Sequence, residues 1–131
     1  MFTIREDRKS LPADVAEAGK AEGFVHICDQ SVLEFGSDRK VPVKYRPVVS
    51  IRKDGPRAVV LPFTSKDNTG SPDFFELVND KHVQWVKPWD GRRSFVRGRY
   101  EVVDPAHMRG KVGAMPQAAR IELLNWLKSR Y

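Results

Sequence analysis

Apolar residues in this 131-residue chain come in short runs broken by polar ones, and their spacing becomes helical only near the C-terminus. Phe24-Val25-His26-Ile27-Cys28 predicts a first strand. Residues 29–43, with Asp, Ser, Gly, Lys and Pro, predict a long loop. The stretch KYRPVVSIRKDGPRAVVLPFTS, residues 44–65, sets two apolar runs around Asp54-Gly55-Pro56 and predicts a hairpin. Phe74 to Val78 and His82 to Val86 flank Asn79-Asp80-Lys81 and predict a second hairpin. Pro88-Trp89-Asp90-Gly91 reads as a turn, Ser94 to Val103 as a further strand, and Pro105 to Gly113 as irregular. A helix is expected from about Pro116, with Ala118, Ile121, Leu124 (or Leu123) and Leu127 as its apolar stripe. Lys128 and Arg130 suit its C-terminal end. Residues 1–22 are polar and read as an N-terminal extension with a short helix at most. Five or more short strands and one terminal helix predict a mainly-β, small barrel over residues 23–131 with helical cover.

The hairpin carries a geometric expectation. If it turns through residues 54–56, Arg46 falls opposite Thr64, and a two-residue turn shifts the partner by one place, to Phe63 or Ser65. Pro47 and Pro62 stand beside that pair and cannot donate to a ladder, so the open end is expected to be free of pairing on one side. A guanidinium and a hydroxyl on a rigid, unpaired end make a mount for a polar site. The same residues also suit plain strand ends.

Composition narrows the chemistry. The net charge is +6 and the isoelectric point about 9.7, which favours an anionic partner. Lys87, Arg92, Arg93, Arg97 and Arg99 stand against one acid, Asp90, with Trp89 and Phe95 among them and Trp85 just before. Basic groups neutralise phosphates and aromatic faces stack on unpaired bases, though core aromatics in a solvated strand pair would look alike. One cysteine, Cys28, rules out an internal disulfide framework and fits a reducing, cytoplasmic setting. His26, His82 and His107 lie far apart with no metal-ligand spacing, so neither a metal nor a cofactor is expected. No apolar run has the length of a membrane span.

Several stretches, taken in order, resemble the PemK/MazF toxin family. Arg46-Pro47-Val48-Val49 resembles its Arg-Pro strand, and Val59-Val60-Leu61-Pro62-Phe63-Thr64-Ser65 its following strand with a Pro-x-Thr-Ser end. Glu101-Val102-Val103-Asp104, then Met108-Arg109-Gly110-Lys111 and Gly113, resemble its late strand and the loop before its last helix, which Ile121 to Leu127 fits. The resemblance implies an SH3-like barrel, a homodimer, and metal-independent, sequence-selective endoribonuclease activity on single-stranded RNA such as mRNA. It also implies an acidic antitoxin protein as partner. Arg46 and Thr64 match the family's catalytic Arg and Thr. Ser65, Lys87, Trp89, Arg92, Arg93, Arg97 and Arg99 are then expected to contact RNA.

The chain also departs from that family. Gly23-Phe24-Val25-His26 lacks the acid and Trp that usually follow the first Gly, and Arg97-Gly98-Arg99 stands where some members carry an acid. Arg46 is expected to stabilise the phosphorane, because its fork matches phosphate oxygens, and Thr64 to bond a phosphate oxygen or orient the 2′-hydroxyl. Arginine stays protonated, so another group must take the 2′ proton. His82, Glu76 and Glu34 qualify by residue type, whereas His26 reads as a satisfied strand histidine. The alternative is a barrel without catalysis that binds nucleic acid or a protein partner.

Overall fold

In a computed structural model, residues 23–40, 43–79, 81–86 and 94–130 are described. The expected N-terminal extension and the turn at residues 88–91 lie outside them. Among the described residues eight strands form: β1 (Phe24–Asp29), β2 (Tyr45–Asp54), β3 (Arg57–Thr64), β4 (Phe74–Leu77), β5 (Gln84–Trp85), β6 (Ser94–Arg97), β7 (Glu101–Val103) and β8 (Met108–Ala114). One α-helix among the described residues, α1 (Gln117–Lys128), follows the last strand. The strands run antiparallel in the order β4-β6-β3-β2-β1-β8-β5, with β7 also pairing β3. The mainly-β architecture with a C-terminal helix is the one the sequence predicts. No described helix is long and apolar enough to cross a membrane.

β3 is the centre. Residues Ala58 to Phe63 are all buried, so the strand has no solvent face. Leu61 and Phe63 join Val25, Val49, Val96 and the helix residues Ala119, Leu123 and Leu127 in the larger core. Ala58 and Val60 join Cys28, Leu33, Val48 and Val103 in a second cluster. A strand buried on both faces reads as a continuous apolar run rather than an alternating one.

Several local expectations change. The hairpin turns through two residues, since Asp54 pairs with Arg57. A register shift between Ser50 and Arg52 then adds one residue to β2, and the open end returns to Ser50↔Val60, Val49↔Leu61 and Val48↔Pro62. The second predicted hairpin does not form, because β4 pairs with β6 and β5 with β8. Between them Val78 O accepts from His82 N at 2.8 Å and His82 Nδ1 accepts from Val78 N at 2.9 Å, so a tight turn replaces a ladder.

The single strand expected over Ser94–Val103 is two. β6 pairs with Phe63 and Thr64, β7 with Ala58, Val59 and Val60. Leu61 and Pro62 thus face Arg97, Gly98, Arg99 and Tyr100, and the longer side must buckle. Pro62 has no N–H to leave unpaired at this gap, and Gly98 N turns instead to Asp73 O at 2.8 Å. The side chains of Trp126 and Arg130 occupy the space where a Gly98 Cβ would sit, with contacts of 2.6 Å, so the buckle also seats the end of α1.

The segment expected to be irregular holds a 3-10 turn at Pro105–His107 and then β8. Its glycines and cations hide a strand that pairs with β1 through two register shifts. On α1 the buried residues are Ala119, Leu123 and Leu127, whereas Ala118 and Ile121 are exposed and Leu124 only half-buried. The stripe therefore runs at a spacing of four: Leu127 and the alternative Leu123 hold, while Ala119 is buried in place of Ala118. His26 is satisfied in its strand, its Nδ1 3.1 Å from Arg109 O.

Two measurements check this packing. Leu123→Ala should cost about 2–5 kcal/mol in chemical unfolding, whereas Ile121→Ala should stay within about 0.5 kcal/mol of wild type. Burial, helped by Asp29 and Glu101, pushes the Cys28 thiol up to about 11. The folded value lies above the ordinary 9.0, so the neutral thiol's contribution is complete below that pH and is lost as pH rises towards 11. A thiol reagent at pH 8 should leave the native protein unmodified and titrate one thiol after denaturation.

Candidate nucleic-acid interface

Arg46 is the central group. It enters from β2, where it stands opposite Cys28 of β1, and is only 6% exposed. Its Nε donates to Gln30 Oε1 at 2.7 Å and its Nη1 to Phe63 O at 2.9 Å. Continuing the β2–β3 register would put Pro47 opposite Phe63, but proline has no N–H, and the arginine side chain serves that carbonyl instead. Burial pulls the guanidinium below its ordinary value, Arg39 adds to this, and Glu101 opposes it. The Arg46 carbon lies 4.7 Å from the centroid of the Phe35 ring, and Arg97 lies 5.0 Å from the same ring. Both distances suit cation–π attraction.

The wall beside Arg46 is Gly36, at φ 84. A Cβ there would come within 2.5 Å of Arg46 Nη2. Glycine is thus required twice, for the positive φ and for the close approach. The loop is fixed further along. Glu101 of β7 accepts from Glu34 N at 2.7 Å and Phe35 N at 3.0 Å, and Gln30 Nε2 donates to Phe35 O at 2.6 Å. The exit from β1 into Gln30 is held as well. Asp29 takes Arg109 Nε at 3.1 Å and lies 3.2 Å from His107 Nδ1, and these two neighbours, His107 first, hold its carboxyl below the usual range.

These groups line a cleft of about 1120 Å³. Pockets for small ligands run ~300–1,000 Å³, so an extended chain is a better fit in size. Its cations are Arg39, Arg46, Lys66, Arg97, Arg99 and Arg130, against Glu34, Asp38 and Asp73, an excess of positive charge. Arg99 lies 3.9 Å from Glu34, and Arg130 bonds Asp73 at 2.7 Å. Both pairs are solvent-exposed at one partner or both, so they hold their groups loosely. Thr64 Oγ1 accepts from Lys66 N at 3.1 Å, which leaves its own proton to donate. Among the described residues no hydrogen bond joins Thr64 to Arg46, and they are linked through the Phe63 carbonyl.

Five of the residues singled out from sequence, Arg46, Thr64, Ser65, Arg97 and Arg99, therefore share one cleft. Lys87, Trp89, Arg92 and Arg93 lie outside the described residues. Of the three proton-acceptor candidates only Glu34 lines the cleft. His82 is buried against Phe75 with its Nε2 3.2 Å from Glu122, and Glu76 pairs across from Phe95 in the β4–β6 ladder. Phe95 is 1% exposed and Trp85 packs edge-on to Phe63, so both belong to the core. The aromatic rings that do line the cleft are Phe35 and Phe74, 6.1 Å apart. Gln30, Phe35, Gly36, Arg39 and Asp73 carry no motif in the sequence. Arg130, read there as a helix-end cation, reaches the cleft only because the Gly98 buckle admits it. Among the described residues no three His, Cys, Asp or Glu side chains gather as a metal site would need.

No protein-family model and no curated protein matches the chain. Solved structures do. The Mycobacterium tuberculosis toxin MazF-mt6 aligns with a TM-score of 0.56 at 13% identity, over 81% of this chain and 93% of its own. An endoribonuclease in complex with its cognate antitoxin, from a mycobacterial species, aligns at 0.52 and 16% identity, over 82% and 89%. With so few identical residues the likeness lies in the course of the backbone, and it is enough to conclude that this chain has a PemK/MazF-like fold.

Proposed function

We propose that the chain is an endoribonuclease toxin that cuts single-stranded RNA, mRNA included, with sequence selectivity and without a metal. One observation carries the reading. A buried guanidinium, held by two hydrogen bonds, lines a positively charged cleft beside a threonine hydroxyl able to donate. The fold shared with MazF-mt6 and with an endoribonuclease bound to its antitoxin supports it.

Arg46 carries the fixed charge for the phosphorane. Preorganised donors lower the barrier because they need no reorientation as charge develops. Thr64 donates to a phosphate oxygen or orients the 2′-hydroxyl, and Ser65, Arg97 and Arg99 hold flanking phosphates. Glu34 takes the 2′ proton. The 2′ oxygen bonds to phosphorus, the bond to the 5′ oxygen breaks, and that oxygen picks up a proton from water in the open cleft. The products are a 2′,3′-cyclic phosphate and a 5′-hydroxyl. Phe35 and Phe74 offer surfaces against which a base rests. An acidic antitoxin protein would compete for the same cations. A homodimer in the cytoplasm completes the reading.

Expression in bacteria tests it. Wild-type protein should arrest growth and fragment RNA, and Arg46→Ala should abolish both. With purified protein and a chelator present, Arg46→Ala should lower the cleavage rate by about 10²–10³-fold. Glu34→Gln should lower it by ~10²–10⁴-fold. RNA that binds wild-type protein in a salt-dependent way yet stays intact would select the non-catalytic barrel instead.

A further inference from the structure

We propose that Gln30 and Glu101 are positioning residues that jointly set the distance between Arg46 and Glu34, an inference that rests on the nuclease reading for its catalytic consequence. The chemistry of the partners leaves each of them one arrangement. Guanidinium only donates and a carbonyl only accepts, so the Gln30 amide must turn its oxygen to Arg46 Nε and its nitrogen to Phe35 O. Gln30 is 6% exposed, and so is Arg46, so neither can exchange its partner for water without cost. A glutamate at position 30 could serve Arg46 but not the carbonyl, and an aliphatic residue could serve neither.

Glu101 faces the opposite demand. Both its oxygens meet backbone N–H groups, those of Glu34 and Phe35. An acceptor-only carboxylate meets two donors without conflict, whereas an amide would set an N–H against an N–H. The peptide groups flanking Phe35 are therefore fixed on both sides, the N–H by β7 and the C=O by the turn after β1. Glu34 hangs from the same carboxylate through its own N–H. The Phe35 ring in turn lies under Arg46 and Arg97. The backbone that carries Glu34 and the guanidinium of Arg46 are thereby tied through one bracket of two side chains, neither of which needs to touch substrate. Misplacing reacting groups by about 1 Å can cost ~10²-fold in rate.

The experiment uses the full chain and two variants, Glu101→Gln and Gln30→Met, each near its parent in size, with Asp54→Asn at the hairpin tip as control. Hydrogen exchange by NMR reads the bracket directly, at the Glu34 and Phe35 amides and at Arg46 Nε–H. Both variants should speed exchange at those sites at least tenfold while the protein stays folded, with core amides of β3 still exchanging far more slowly than those sites. In RNA cleavage kcat should fall about 10- to 100-fold with KM within twofold, a split that general loosening would not produce. Exchange at Phe35 and Arg46 unchanged in both variants would overturn the proposal, whatever happens to cleavage. Faster exchange with kcat unchanged would overturn the positioning role. Wild-type protein that cuts no RNA would sink the nuclease reading alone, since the exchange arm still decides whether the bracket exists. Should Glu101→Gln fail to fold, Gln30→Met decides by itself.

Discussion

Burying the charge of Arg46 is the constraint on which the rest of the site depends. A guanidinium removed from water must find oxygen acceptors in fixed directions, or the fold loses several kcal/mol. Among the described residues the acceptors are uncharged, Gln30 Oε1 and the Phe63 carbonyl, and none of their carboxylates quenches the cation directly. It remains positive and aimed, with Gly36 close enough along Nη2 that no side chain can screen that edge. A carboxylate partner would have held the arginine more tightly and left less field for a bound phosphate. Glu101 stands near enough to favour the charge but spends both oxygens on backbone N–H groups.

The two prolines belong to the same solution. They do not end their strands. Pro47 pairs with Ile27 inside β2, and Pro62 pairs with Val48 inside β3. What each removes is one N–H. Without the Pro47 N–H the Phe63 carbonyl is open to Arg46, and without the Pro62 N–H the gap between β6 and β7 leaves no orphan donor. That gap lets Arg97, Gly98 and Arg99 buckle outward into the cleft and gives Arg130 its seat. Two missing hydrogens in the central strands thus set two walls of one cleft.

Elements governed by short-range chemistry were legible in the sequence. β1, β2, β3 and α1 follow from apolar runs, turn residues and helical spacing, and the Arg46–Thr64 neighbourhood follows from strand counting. What failed depended on partners far along the chain. Phe74 to Leu77 and Gln84 to Trp85 read correctly as strands, but nothing local says that one joins β6 and the other β8. β8 hides because its two glycines and its cations contradict strand preference, and only pairing with β1 overrides them. The loop of Gln30 to Arg39 carries polar residues of no evident pattern, yet its order comes from Glu101, 66 residues beyond Phe35.

The hairpin shows how a correct neighbourhood can come from cancelling errors. A three-residue turn would have put Arg46 level with Thr64 directly. The actual turn has two residues, which alone would have displaced the partner by one, and the extra residue in β2 between Ser50 and Arg52 restores the count. The restoration has a physical reason. Val48, Val49, Leu61 and Pro62 are all buried, so a slip of one residue would exchange the faces of an entire core layer. The tip of the hairpin is solvent-exposed and can adopt whichever turn its residues prefer. The bulge lies between those regimes and absorbs the mismatch. Hydrophobic packing at the open end, and not the turn, is therefore what holds Arg46 within reach of the Phe63 carbonyl and keeps Thr64 on the same cleft wall.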